Sequence, residues 1–170
     1  MIEKLFSLSN QLNMTDWGMI LLGAKGIPAG RLSASDVSDF ACQKMAVSDI
    51  KESLLIAISE VAFCTEITDE IIIYLEFICN EENVDLQVSQ RKWRCVALSF
   101  LLKNLPEDSV YGPIELNSFW NEWGGAVSSP NIIQGVGNNI SPSEYYTDEN
   151  YITLVNNHQK WLNEELKQLI

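Results

Sequence analysis

The single histidine, His158, is where any acid–base or nucleophilic mechanism near neutral pH would have to begin, because no other side chain has its ordinary pKa in that range. It lies in the run Asn157-His158-Gln159-Lys160-Trp161, which does not form the His-Glu-x-x-His zinc motif. It also falls on the apolar side of the last predicted helix. We therefore expect a packed histidine with one or two hydrogen bonds, and we predict no catalytic residue and no enzyme activity.

The spacing of the cysteines and glycines gives little support for a metal site or a bound cofactor. Cys42, Cys64, Cys79 and Cys95 contain no Cys-x-x-Cys pair and have apolar neighbours, so the sequence predicts four reduced core thiols, with disulfides as the alternative. The Gly135-Val136-Gly137 triplet lacks the third glycine and the preceding strand of a dinucleotide-binding fingerprint. We predict no metal site and no cofactor.

Charge is distributed very unevenly along the chain. The 170 residues include 11 basic and 23 acidic side chains, for a net charge of −12. Ten of the acidic residues lie between Asp49 and Asp85, where Lys51 is the only basic residue. Direct binding to nucleic acid is not expected, because it requires clustered Lys and Arg. The stretch is either a solvated face or a docking surface for a basic partner. As a docking surface, its candidate binding residues are Glu66, Asp69, Glu70, Glu81, Glu82 and Asp85.

Two tryptophans extend the set of candidate partner-binding residues. Trp120 and Trp123 are about one helical turn apart just before the longest predicted loop, and Tyr145-Tyr146 follows that loop. Tryptophan and tyrosine often anchor protein interfaces, which favours a binding role. Packing in the core is the competing interpretation, because aromatic side chains also dominate cores.

Helix signals dominate the elements that would position these residues. Helices are expected to begin at the Thr15-Asp16 cap, near Ser35, at Ser48 or Asp49, at the Thr68 cap, at Ser89, at Pro113, at a Ser141 capping box and at Asp148. The fourth of these contains the run Ile71-Ile72-Ile73, which also permits a strand, but its cap and length favour a helix. Because it is apolar nearly all round, we expect this helix to be central in its domain.

The elements together predict an all-α fold. We expect a single domain over residues 1–170, built as an antiparallel helical bundle or a short helical-repeat array, with one long Gly/Asn-rich loop over 125–140. The composition, with 46% hydrophobic and 20% charged residues, is typical of a globular protein. No apolar run approaches the roughly 20 residues of a transmembrane helix, and the N-terminus lacks a signal-peptide pattern. The sequence therefore predicts a cytoplasmic protein that does not enter a membrane.

Several aromatic and glycine-containing segments resemble a known class of proteins. They are Asp16-Trp17-Gly18, Val37-Ser38-Asp39-Phe40-Ala41, Phe119-Trp120-Asn121-Glu122-Trp123-Gly124, Ser141-Pro142-Ser143-Glu144-Tyr145-Tyr146 and Asn157-His158-Gln159-Lys160-Trp161-Leu162. Together they resemble small acidic immunity proteins of bacterial polymorphic toxin and contact-dependent growth inhibition systems. The resemblance implies a cytoplasmic protein that binds and neutralises the C-terminal domain of one toxin, often a nuclease. These families share no catalytic residues, so no site residue is transferred.

The charge distribution and the resemblance favour the same function. A nuclease active site is basic because its substrate is polyanionic, and an acidic protein is its electrostatic complement. We therefore predict an immunity protein that occludes the active site of a basic toxin domain. The alternatives are a non-enzymatic helical adaptor or scaffold for another basic partner and, third, a small enzyme that uses His158. The sequence leaves the oligomeric state open.

Overall fold

The computed structural model describes residues 1–28, 30–47, 49–125 and 128–170. Ser48, one of the two predicted starts of the third helix, lies outside the described residues. Within these ranges every regular element is helical, which confirms the predicted all-α class. The elements are α1 (Ile2–Gln11), α2 (Trp17–Lys25), α3 (Ala34–Val47), α4 (Glu52–Ala62), α5 (Asp69–Glu81), α6 (Leu86–Lys103), α7 (Tyr111–Trp123), α8 (Pro142–Tyr145) and α9 (Asp148–Leu169).

The chain divides into two compact units, Met1–Trp93 and Arg94–Ile170, with the boundary inside α6. The first unit is organised around α2, whose residues from Trp17 to Ala24 are all buried. An apolar helix of this kind must be enclosed by its neighbours, and α3 and α5 both pack against α2. Consecutive helices α3, α4 and α5 also pack on one another in the bundle-like manner that short connections favour. The single-domain organisation stays a prediction.

Two helices of the first unit begin at residues other than those predicted. α3 begins at Ala34 rather than at Ser35, because the Ser33 hydroxyl accepts a hydrogen bond from a backbone N–H of its first turn. α4 begins at Glu52, three residues after Asp49, and no side-chain hydrogen bond caps it. The first helix, α1, was not predicted from the sequence.

The starts of α6 and α7 are also earlier than predicted. α6 begins at Leu86, and Ser89 is a buried residue within it. α7 begins at Tyr111 instead of Pro113, because the Asp108 carboxylate accepts hydrogen bonds from two backbone N–H groups at this helix start. These two hydrogen bonds hold the pKa of Asp108 below its ordinary value. The boundary that the apolar spacing missed is therefore set by a carboxylate three residues before the helix start and five before Pro113.

The second unit contains the packed helices α7, α8 and α9. Gly112 of α7 lies against the ring of Tyr151, and a Cβ at this position would overlap that ring. The Tyr151 hydroxyl donates a hydrogen bond to the Pro106 carbonyl at 2.6 Å, which fixes the ring in place. The Ser141 capping box, completed by Glu144, and the start of the last helix at Asp148 are confirmed.

The four cysteines are reduced thiols, as predicted, but they are not all core residues. Cys79 and Cys95 are buried, and burial raises the pKa of Cys79 to about 12. Cys64 is partly exposed and Cys42 is exposed, so the prediction of four core thiols was wrong for these two. Cys42 is exposed because α3 buries only one narrow side, formed by Val37, Phe40 and Ala41, and Cys42 lies outside it.

The best-connected helix cap of the first unit is Asp16. One carboxylate oxygen accepts hydrogen bonds from the Met19 N–H of α2 at 2.7 Å and from the Ser89 hydroxyl at 2.9 Å. The other oxygen pairs with the Lys92 ammonium at 2.8 Å. A single side chain thus caps α2 and connects it to α6 within the first unit.

We expect Asp16→Ala to lower the free energy of unfolding by about 2 kcal/mol. The change removes a cap that is typically worth about 1 kcal/mol, and it leaves the half-buried Lys92 and the Ser89 hydroxyl without this partner. Urea unfolding measures the loss. Thr68→Ala is the matched control, because Thr68 caps α5 through one hydrogen bond only and should cost about 1 kcal/mol. Equal losses in the two variants would contradict the role of the Lys92 ion pair.

Candidate partner-binding surface

The six acidic residues predicted to bind a partner are all exposed, and they lie around the two ends of α5. The 13 residues of this helix separate the ends by roughly 18 Å along its axis. The structure therefore places these residues in two groups. We call them the N-terminal acidic cluster (Glu66, Asp69 and Glu70) and the C-terminal acidic cluster (Glu81, Glu82 and Asp85).

Helix formation explains some of these carboxylates but not others. Asp69 and Glu70 occupy the first turn of α5, where the helix dipole favours negative charge. Asp85 accepts a hydrogen bond from a backbone N–H at the start of α6. By contrast, Glu81 and Glu82 lie at the C-terminal end of α5, where the dipole disfavours negative charge. Acidic residues in an unfavourable local position point to a role outside the fold.

Large apolar side chains are exposed on α5 between the two acidic clusters and on the neighbouring helix α4. On α5, Ile73 and Phe77 are 62% and 42% exposed and lie four residues apart on one side of the helix. On α4, Ile56 is 71% exposed, and Phe63 at the end of the helix is 81% exposed. Scattered exposed apolar residues are ordinary, but residues aligned on two packed helices form a patch.

The expectation that α5 is a central helix was wrong. Its buried residues are Ile71, Leu75, Ile78 and Cys79, which occupy one side of the helix. That side packs against α2 and α4, and the opposite side is exposed, with Ile73 and Phe77 lying among charged and polar residues. The helix was expected to be central because its residue types alone, without knowledge of the helices beside it, decided that interpretation.

The exposed sides of α4 and α5 adjoin at Tyr74. The Tyr74 hydroxyl donates a hydrogen bond to the Glu70 carboxylate at 3.4 Å. Desolvation raises the pKa of Tyr74, and the negative charges of Glu70 on its own helix and of Glu60 on α4 raise it further. Because α4 packs on α5 and each exposed row lies opposite the buried side of its helix, the two rows adjoin on the outer surface of this helix pair. We call this surface the acidic–apolar face and define it by Glu52, Ile56, Glu60, Phe63, Glu70, Ile73, Phe77 and Glu81.

The two tryptophans belong to the interior of the second unit. Trp120 and Trp123 are both buried, and each ring lies against the ring of Phe119, at centroid distances of 5.2 and 6.4 Å. Trp120 also contacts the ring of Trp161 edge-on. Their placement is that of core residues, so the surface described here does not include them.

His158 is completely buried beside Trp120 and both of its ring nitrogens are engaged. Nε2 accepts a hydrogen bond from the Trp120 indole N–H at 2.9 Å, which requires Nε2 to be unprotonated. Nδ1 therefore carries the proton and donates to the Leu154 carbonyl at 2.7 Å. Burial lowers the pKa of His158 below 6.5. The expectation of a packed histidine with one or two hydrogen bonds is confirmed, since the structure shows two, and no ring lone pair is left to act as a base.

The described part of the long loop is ordered by the side chain of Asn138. Its amide group donates to the carbonyls of Ile133 and Val136, and its carbonyl oxygen accepts from the N–H groups of Gly135 and Ile140. Gly135 has a φ of 73°, a conformation that favours glycine. The glycine in this segment is thus explained by a turn and not by a phosphate ligand.

Residues 1–28, 30–47, 49–125 and 128–170 contain neither a metal-binding cluster nor a membrane-spanning helix. No group of three or more His, Cys, Asp or Glu side chains there could hold a metal ion. None of the helices over those residues is both long enough and apolar enough to cross a membrane. The acidic–apolar face is therefore the candidate site that the geometry supports best.

Comparison with known proteins gives one family match. A family model described as "Uncharacterized protein conserved in bacteria (DUF2247)" matches residues 6–166, which include most of both compact units. No curated protein and no solved structure matches the chain. The description of the family states no activity, substrate or partner.

Proposed function

The chain belongs to the DUF2247 family of uncharacterized proteins conserved in bacteria, and we propose a function for it from the surface of its first unit. We propose that it is a cytoplasmic immunity protein that binds the C-terminal domain of a cognate toxin, a basic nuclease, and occludes its active site. The observation that carries the proposal is the exposure of all six acidic candidate residues around α5.

Electrostatic complementarity supports a basic partner. The active site of a nuclease presents Lys and Arg side chains to the phosphates of its substrate. A surface that offers several carboxylates can occupy the same positive field, and it attracts the toxin from a distance before contact. Such inhibition requires no chemistry from the immunity protein, which agrees with a histidine that is buried and fully hydrogen-bonded.

The test uses the C-terminal domain of the protein encoded immediately upstream. We expect an equimolar amount of this protein to abolish cleavage of plasmid DNA by that domain, and its expression to protect cells that produce the domain. Heat-denatured protein is the control for non-specific competition by an acidic chain. Full cleavage in the presence of the folded protein, or cell death despite its expression, would contradict the proposal.

A helical adaptor for another basic partner is the second candidate, because the same exposed carboxylates would attract any cationic surface. The two functions differ in their effect on the partner. An adaptor binds without reducing the activity of its partner, whereas an immunity protein competes with nucleic acid for the same surface. Competition between the protein and a DNA oligonucleotide for the upstream domain separates the two.

A further inference from the structure

We propose that the acidic–apolar face of α4 and α5 is the docking surface for a basic amphipathic helix of the partner. The inference rests on the proposed function for the identity of the partner, and it adds the part of the partner that is recognised. The carboxylates alone would attract any cation, whereas the apolar side chains between them require apolar groups on the partner.

The spacing of the exposed residues explains why the occupant is a helix. Ile56 and Phe63 are two helical turns apart on α4, and Ile73 and Phe77 are one turn apart on α5. Packed helices lie about 8–10 Å apart, so a third helix can rest on both rows at once. Its contacts would recur at i, i+3, i+4 and i+7, as when an amphipathic helix binds an apolar surface.

The charges on the face determine the polar residues of the occupant. Glu52 and Glu60 flank Ile56 on α4 at a spacing of four residues, and Glu70 and Glu81 flank the apolar pair of α5. In the described ranges, no salt bridge joins any of these four glutamates to a Lys or Arg of the chain. A helix with Lys or Arg on both sides of its apolar stripe would complement them.

A second copy of this chain is a poor occupant. Two copies that met through this face would bring like-charged glutamates together, and like charges across an interface are unfavourable. The net charge of −12 adds to this repulsion between copies.

The direct test measures binding of a designed Lys/Leu peptide whose leucines recur at helical spacing. We expect it to bind the intact 170-residue chain, and a peptide of the same composition in scrambled order to bind at least about tenfold more weakly. We expect the double variant Ile73→Ser/Phe77→Ser to bind the helical peptide about tenfold more weakly than wild type, because two exposed apolar anchors are lost without a change in charge. Titration calorimetry gives the dissociation constants.

The matched control is Ile152→Ser on α9, because Ile152 is 61% exposed and Ile73 is 62% exposed. It should bind the peptide like wild type. Circular dichroism should show an unchanged helix content in both variants, since the replaced side chains are exposed. If the double variant binds the peptide as tightly as wild type, the inference is overturned. A dimer that dissociates in the double variant would also overturn it, because the occupant would then be a second copy.

Repeating the titration with the C-terminal domain of the upstream protein separates the two proposals. Loss of affinity in the double variant supports both. Wild-type affinity in the double variant overturns the docking inference and leaves the proposed function in place. Absence of binding by wild type contradicts the proposed function, while the peptide titration still decides whether the face accepts a basic helix.

Discussion

His158→Ala should lower the free energy of unfolding by about 3 kcal/mol. The side chain is fully buried, so its removal leaves a cavity, and the indole N–H of Trp120 loses its acceptor in a place where water is excluded. Urea denaturation followed by tryptophan fluorescence measures the loss. The control Gln159→Ala changes the exposed neighbour on the same helix and should alter stability by less than about 0.5 kcal/mol.

The same variant separates a structural role of His158 from a catalytic one. Below its melting transition, His158→Ala should bind and protect like wild type, because the histidine belongs to the core of the second unit and the acidic–apolar face to the first. A variant that is as stable as wild type but has lost protection would contradict this expectation and would restore the enzyme alternative.

The pH dependence of stability offers a further test of the histidine. The pKa of His158 is lowered in the folded state, so the unfolded chain binds the proton first as the pH falls below 6.5. The free energy of unfolding should therefore be constant just above pH 6.5 and decrease as the pH falls toward the folded pKa. Because His158 is the only histidine, His158→Gln should abolish this decrease between about pH 5 and 6.5, where ordinary carboxylates remain ionised. A decrease that persists in the variant would contradict the assignment.

Helix existence could be predicted from the sequence because it depends on local chemistry. Thr68, Ser141 and Thr147 cap helices through their own side chains, and the apolar spacing behind each cap fixes the element. Predicted helix starts were wrong where the side chain that caps the helix lies outside the apolar pattern, as Asp108 does ahead of α7. A carboxylate in a loop becomes recognisable as a cap only when the backbone that it contacts is known.

Burial was harder to predict than helix formation. Ile73 and Trp120 are both large and apolar, yet Ile73 is exposed and Trp120 is buried. Which side of a helix faces the core depends on the neighbours it packs against, and for α5 these are α2 and α4. The acidic residues of the candidate surface could therefore be predicted from composition. Its exposed apolar residues could not, because their exposure depends on which helices pack beside α4 and α5.

Charge reversal at four positions should slow association with the toxin domain by about tenfold at low ionic strength. The variant is Glu66→Lys/Glu70→Lys/Glu81→Lys/Glu82→Lys, which keeps Asp69 in the first turn of α5 and Asp85 at the start of α6. The loss arises because exposed carboxylates steer a basic partner from a distance, and steering depends on the sum of charges. Single reversals are expected to have small effects, since individual exposed ion pairs contribute little. Stopped-flow measurement of association rate against salt concentration detects both the slower rate and a flatter salt dependence.

The control for this experiment must change the net charge equally without changing the face. Glu107→Lys/Glu115→Lys/Glu122→Lys/Glu164→Lys replaces four exposed glutamates of the second unit and gives the same net charge. If steering is local to α5, the control should retain most of the wild-type rate and a stronger salt dependence than the α5 variant, because it leaves the carboxylates around α5 in place. Equal rates and equal salt slopes for wild type and the α5 variant would show that the acidic clusters are an ordinary solvated face. Binding would then have to depend on apolar contacts such as those of Ile73 and Phe77.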